Sequence, residues 1–338
     1  MVKTGKSATM SDVAKRAGVS PMTVSRAFKS DASVNAETRA RILEAAEDLG
    51  YILDSTASNL RSQKTGFLAV TIPSINNANF AETVGAMTAA LRDTGLQVLL
   101  GYTNYDVDEE ERLIAQLLGR RPEAIVVTGG THTPRTRKLL ENAGIPVIET
   151  WDLPAHPIGN VVGFSNAEAA RMMVRHFVAQ GFTRLGFIGG DASRDTRGLD
   201  RRQGFFDELA KLGLDTARHV ASGPPPITMR EGATCMAEML ERWPDTQAVM
   251  CVSDPVAFGA LTECQRRGLS VPQQMAIGGF GAYDISEQSL PRITTVDVSA
   301  AEIGVQTAQM IEALLLRGPE AVPMRHVITP RILARETS

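Results

Sequence analysis

Apolar positions along this chain recur with two different periods. Between residues 9 and 52 they fall into helical groups: Val13, Ala14 and Ala17, then Val24 with Ala27 or Phe28, then Ile42, Ala46 and Leu49. This spacing predicts three helices, the first closed by Gly18, the second over about 21–28 and the third over about 36–49. Thr9-Met10-Ser11-Asp12 is a capping-box pattern, in which hydroxyl and carboxylate each take an orphan N–H. Ser20-Pro21 is a second start signal, since the hydroxyl caps and proline needs no partner at the first helical position. The second helix then turns Pro21, Met22, Ser25, Arg26 and Lys29 outward.

From residue 65 the pattern becomes short apolar runs separated by longer helical stretches. The runs at Phe67–Ile72, Gln97–Tyr102, Ala124–Thr128, Val147–Thr150, Leu185–Ile188, 248–252 and 276–279 predict strands. Helical spacing covers 80–94, 109–118, 166–180, Met229–Arg242 and 255–267. Such alternation predicts parallel sheets flanked by helices. The 274 residues involved exceed one comfortable sheet, so two Rossmann-like subdomains are expected. Their ligand would lie between them, outside the carboxyl ends of the strands. The Pro- and Gly-rich stretch 154–163 predicts a crossover between them.

Composition narrows the function. With 43% apolar and 22% charged residues the chain has enough to bury, which excludes disorder as its main state. No apolar run approaches a membrane span, and Met1 to Thr9 lack the apolar stretch of a secretory signal, so a cytoplasmic protein is expected. Three cysteines without a CxxC spacing argue against a disulfide framework and a zinc knuckle. Phosphate-loop, zinc-protease and nucleophile-elbow motifs are absent, so neither an enzyme nor a cofactor is expected. The net charge of −3 hides an asymmetry: residues 1–64 carry ten Lys/Arg against seven Asp/Glu, and the remainder 25 against 31. A basic head on an acidic body has the sign expected of a nucleic-acid module.

Two short helices joined by Gly18-Val19-Ser20, with a third behind them, form a helix-turn-helix. Its second helix would enter the major groove of DNA; the alternative is a small helical domain without a DNA role. The residues Asp12-Val13-Ala14, Ala17-Gly18-Val19-Ser20, Thr23-Val24-Ser25-Arg26, Val34-Asn35-Ala36-Glu37-Thr38-Arg39 and Leu49-Gly50-Tyr51 decide between these. Over residues 10–61 the chain resembles the headpiece of the LacI/GalR family of bacterial transcription regulators. The resemblance continues through Gly163-Phe164-Ser165-Asn166, Arg201-Arg202-Gln203-Gly204-Phe205 and Leu290-Pro291-Arg292-Ile293.

The resemblance implies an all-α headpiece (1–53), a hinge helix and linker (54–64) and a periplasmic-binding-protein-like core of two lobes (65–338). The first lobe would take about 65–160 plus 296–325. The second would take about 163–292 plus a C-terminal segment, with the third crossover near 290–298. DNA contacts carried over residue by residue are Thr9, Ser20, Pro21, Met22, Thr23, Ser25, Arg26 and Lys29, with Ala57 and Leu60 in the hinge. Leu60 matches a leucine that wedges into the minor groove; Leu53-Asp54 stand where the family has Pro-Asn. Effector contacts carried over are Ser74, Phe80, Thr128, Trp151, Asp152, Arg201, Ser253 and Asp254. Arg197 and His132 join them as cationic candidates, beside Arg194.

Gly281 stands where many relatives have a sugar-binding Asp, which argues against a neutral sugar. Arginine forks suit carboxylate or phosphate, so an anionic effector is expected. Segments 131–136 and 147–152 are similar to the gluconate-utilisation repressor branch. The expected protein is a homodimeric repressor of a sugar-acid operon, released from a palindromic operator by gluconate or a related aldonic or ketoaldonic acid. Alternatives are a corepressor or phosphorylated-sugar regulator, or a solute-binding protein without a DNA function.

Overall fold

A computed structural model describes residues 8–28, 34–52, 65–190, 194–318 and 322–338. They form two compact units that divide between residues 65 and 66. The expected hinge 54–64, with Ala57 and Leu60, and also Lys29, lie outside the described residues.

The smaller unit holds α1 (Met10–Ala17), α2 (Pro21–Ala27) and α3 (Ala36–Asp48). Both predicted starts are present. Thr9 and Asp12 form a capping box before α1, and the Ser20 hydroxyl accepts from Thr23 N at 3.2 Å. Gly18 closes α1 in the left-handed conformation that favours glycine. The unit's core is Val13, Ala14, Ala17, Val24, Ala27, Ile42, Ala45 and Ala46. Leu49, expected inside, is 37% exposed, because α3 stops at Asp48 and Leu49 is its C-cap. Tyr51 packs instead, edge-on to Phe28 with ring centroids 6.2 Å apart. Thr9→Ala removes a cap that contributes about 1 kcal/mol. Hydrogen exchange at the Val13 and Ala14 amides of the full chain is expected to speed up about fivefold; unchanged exchange would show the cap to be redundant.

The larger unit contains two six-stranded sheets. The first holds β1 (Phe67–Ile72), β2 (Gln97–Tyr102), β3 (Ala124–Thr128), β4 (Val147–Thr150), β5 (Asn160–Gly163) and β11 (Arg325–Val327), in the order β2-β1-β3-β4-β5-β11, all parallel. Period-2 alternation builds its two faces: Leu68, Val70, Ala124 and Val126 join one core cluster, Ala69, Ile125 and Val127 the other. Helices α4 (Ala78–Ala90) and α12 (Ala300–Arg317) pack together, as do α5 (Val107–Leu118) and α6 (Pro134–Glu141).

The second sheet holds β6 (Leu185–Ile188), β7 (His219–Val220), β8 (Ala248–Cys251), β9 (Ala276–Phe280), β10 (Thr294–Asp297) and β12 (Arg331–Leu333), in the order β7-β6-β8-β9-β10-β12. Here β12 alone runs antiparallel, beside β10. Helix α7 (Asn166–Ala179) packs with α8 (Thr196–Lys211), and α9 (Met229–Arg242) with α10 (Asp254–Arg266). A short α11 (Asp284–Gln288) follows β9.

Glycines bring three of these helix pairs into backbone contact. A Cβ on Gly204 would lie 2.3 Å from Ala167 O, one on Gly304 2.3 Å from Thr83 O, and one on Gly259 1.9 Å from Met229 O. One expected boundary moves and one falls within its expected range. The stretch 154–163 ends in β5, a strand of the first sheet, so the chain crosses after Gly163. The next crossing follows β10 at Asp297, inside the expected 290–298, because β10 pairs with β9 in the second sheet.

Candidate functional site

In the first sheet chain order reverses between β1 and β3, which opens a crevice at the carboxyl ends of the strands. A cavity of about 530 Å³ lies there, between the two lobes. Ser74, Asn76 and Asn77 reach it from the β1–α4 turn, Tyr105 from beyond β2 and Trp151 from the end of β4. The second lobe supplies Asp195, Arg197 and Arg201, the 225–230 segment, Ser253, Phe280 and Tyr283.

Three side chains are aimed by unusual backbone. Tyr105 has φ 57°, Trp151 φ 67° and Ala282, just before Tyr283, φ 55°. Left-handed backbone is costly for large side chains and gathers at ligand sites. Trp151 is buried edge-on to Phe80, centroids 5.0 Å apart. Tyr283 donates from its hydroxyl to Asn77 Oδ1 at 2.7 Å, and Asn79 Nδ2 to Gly281 O at 3.0 Å, so both bonds join the lobes. Arg194 adds a third link, Nη2 to Asp106 Oδ2 at 2.9 Å, and does not line the cavity.

The charged end is built on α8. Arg197 and Arg201 are one turn apart and almost wholly buried. Arg201 lies over the Phe280 ring at 4.2 Å and Arg197 over Phe80 at 5.5 Å. Arg201 Nη1 donates to Asn166 Oδ1 at 2.7 Å, while Asn166 Nδ2 donates to Trp151 O at 3.1 Å. One amide thus fixes both the arginine and the tryptophan. Arg201 Nε is buried without a partner among the described residues. Burial pulls the Arg201 pKa down from its usual value, opposed by the Asp195 carboxylate. Two desolvated guanidinium groups lining a cavity favour an anion there.

Of the ten effector positions expected from sequence, Ser74, Phe80, Trp151, Arg197, Arg201 and Ser253 line the cavity. Four do not. Thr128 donates from Oγ1 to Thr71 O at 2.9 Å, within its own sheet. Asp152 turns back to accept from Leu153 N at 2.8 Å. Asp254 is fully buried, accepting from Thr295 Oγ1 at 2.6 Å and Tyr283 N at 2.7 Å. With both oxygens taken inside the protein it positions Tyr283 rather than a ligand. Burial pushes its pKa up to about 6 against those two bonds.

His132 is the fourth. Its side chain is fully buried, Nδ1 2.8 Å from Glu110 Oε2 and Nε2 3.6 Å from Glu149 Oε1. Burial alone would lower its pKa, but the two carboxylates outweigh that and raise it to about 9. A pKa raised on folding stabilises fully below the unfolded value near 6.5, and that contribution is lost as pH climbs through 9. The thermal midpoint is therefore expected to fall between pH 7 and pH 10, and His132→Gln to flatten that slope; a midpoint equally pH-dependent in both would remove the triad as its source.

Sequence reasoning missed Asn76, Asn77, Tyr105, Asp195, Phe280 and Tyr283. Asp195 had a signal, standing between Arg194 and Arg197 in the sequence. A ring on Tyr283 in place of the missing carboxylate had none: a Cβ at Gly281 would lie 2.4 Å from that ring. Among the described residues no His/Cys/Asp/Glu group could hold a metal ion, and no helix is long and apolar enough to cross a membrane.

On the smaller unit Met22 is 66% exposed, with Pro21 and Arg26 also exposed and Thr23 and Ser25 half-buried. Thr9 and Ser20 serve as helix caps. The outward face of α2 thus presents the side chains expected to meet base edges.

Comparison with known proteins gives a consistent result. The family described as bacterial regulatory proteins, lacI family, matches residues 9–54, and a periplasmic binding protein-like domain matches residues 174–338. The HTH-type transcriptional regulator GntR of Pseudomonas aeruginosa is 36% identical over 91% of this chain and 89% of its own. The HTH-type transcriptional regulator IdnR of Escherichia coli is 33% identical over 90% of both chains. A crystal structure of a LacI family transcriptional regulator from Silicibacter pomeroyi is 33% identical, with a TM-score of 0.90 over 98% of this chain and 99% of that one.

Proposed function

Because the chain belongs to the lacI family of bacterial regulatory proteins, we propose that this DNA-binding repressor controls a sugar-acid catabolic operon. Its effector is gluconate or a related aldonic or ketoaldonic acid, held between the lobes. The observation that carries this reading is the buried Arg197–Arg201 pair, with Arg201 Nε unpartnered, at the end of a cavity of about 530 Å³. A guanidinium fork recognises a carboxylate. Ser74, Asn76, Asn77 and Ser253 offer polar groups to a polyol chain, and the Phe80–Trp151 wall takes its C–H faces. The similarity of segments 131–136 and 147–152 to gluconate-utilisation repressors supports the same ligand. No cofactor enters this reading.

Two heads on a homodimer would read a palindrome, since one α2 spans only a few base pairs. Pro21, Met22 and Arg26 would choose sequence and basic contacts would fix register, making binding salt-dependent. Release requires that effector bind the DNA-free arrangement more tightly than the bound one. A change in lobe separation would act on the inter-lobe bonds Tyr283–Asn77, Asn79–Gly281, Arg194–Asp106 and Asn166–Trp151.

The test is fluorescence anisotropy of the purified protein on DNA from the promoter beside its own gene, with and without gluconate. Tight binding that gluconate releases is the expected result. Tight binding indifferent to gluconate would discard the effector and send the search to phosphorylated sugars. Binding that gluconate strengthens would make it a corepressor.

A further inference from the structure

Asp195 shares the anion-binding end of the cavity with two arginines, yet hydrogen-bonds neither. Its Oδ2 lies 3.6 Å from Arg201 Nη2 and its Oδ1 4.0 Å from Arg197 Nη2. All three side chains are at most one-tenth exposed. Asp195 is also the residue before α8, where a carboxylate commonly caps the helix, but its side chain makes no capping bond. Gly198 makes room for it: a Cβ there would lie 2.3 Å from Asp195 Oδ2. A buried acceptor is thus held beside the fork and kept out of hydrogen-bond contact with it.

A carboxylate only accepts. A ligand carboxylate seated on Arg197 and Arg201 brings the substituent on its neighbouring carbon next to Asp195. A hydroxyl there can donate to Asp195; an oxo group sets two acceptors against each other. Asp195 also cancels one of the two guanidinium charges, which suits a single carboxylate at this end of the cavity.

We propose that Asp195 determines specificity by reading the hydroxyl beside the ligand's carboxylate, so that the cavity takes 2-hydroxy acids and rejects 2-oxo acids of the same length. This rests on the sugar-acid reading above and decides between its aldonate and ketoaldonate members.

The experiment is calorimetric titration of the full chain with gluconate, 2-deoxygluconate and 2-oxogluconate. Loss of a hydrogen bond to a charged group predicts that 2-oxogluconate binds roughly ten- to a hundredfold more weakly than gluconate, and 2-deoxygluconate about tenfold more weakly. In Asp195→Asn, whose amide donates as well as accepts, the gluconate to 2-oxogluconate ratio should shrink to within about threefold. A merely structural role would weaken all three ligands alike and leave that ratio unmoved, which overturns the proposal. So does equal binding of gluconate and 2-oxogluconate by the unaltered protein, a comparison that stands even when Asp195→Asn does not fold. If none of the three binds, the sugar-acid reading itself fails and the proposal falls with it.

Discussion

Arg201→Leu is expected to leave operator binding in place and weaken gluconate binding by roughly a hundredfold, the usual result of truncating one partner of a buried charge pair. The repressor should then stay on DNA at gluconate concentrations that release the unaltered protein. The substitution deletes the unpartnered Nε, breaks the bond to Asn166 Oδ1 and leaves Asp195 with only Arg197 nearby. Some thermal stability goes with it, because Asn166 also ties Trp151 in place. Arg201→Lys keeps the charge but not the fork and should recover only part of the affinity. Calorimetry with gluconate and anisotropy with operator DNA separate the two effects. Release of Arg201→Leu at the same gluconate concentration as the unaltered protein would move the effector site elsewhere.

Gly259→Val should be the most damaging single change in the core. A Cβ at this position would sit 1.9 Å from Met229 O and 2.8 Å from Ala233 N, both backbone atoms of α9. The contact is reciprocal, since a Cβ on Gly232 would lie 2.3 Å from Val256 O on α10. Backbone cannot swing aside as a side chain can, so the helix pair must separate and open the packing around Cys235, Met236 and Leu261. A loss above about 3 kcal/mol is expected, at the upper end for overpacking. That corresponds to a midpoint lowered by roughly 5 to 12 °C for a unit of this size, read by differential scanning calorimetry. A change under about 2 °C would mean that the helices have slack the geometry does not show.

Much of the core was legible in the sequence because β1, β3, β4 and β6 are buried on both faces, while β2, a half-exposed edge strand, still carries an apolar run. β1, β2, β3, β4 and β6 match the predicted apolar runs residue for residue. β5 was read as a crossover because Pro and Gly lead into it and its Asn160 and Gly163 dilute an otherwise apolar run. β11 and β12 have three residues each, too few for any period to register. In the cavity Arg201 was readable through the family resemblance of the segment Arg201-Arg202-Gln203-Gly204-Phe205. Tyr105 and Tyr283 were not, because they depend on left-handed backbone at Tyr105 and Ala282, which no pattern of residue types announces. Asp152 and Asp254 adjoin cavity positions in sequence and His132 follows the end of β3, but all three face internal partners. Sequence distance from a strand end says nothing about which side of the loop a side chain takes.

The interleaving of the two sheets also bears on how the protein is made. β11 completes the first sheet and β12 the second, and both lie within residues 325–333. A nascent chain that has emerged only to Arg317 therefore leaves β5 and β10 as bare edges, one in each lobe. Neither lobe can close on its own during translation, although almost all their residues are already outside the ribosome. Both wait for the same short stretch, and in that interval two unpaired edges are open to wrong partners.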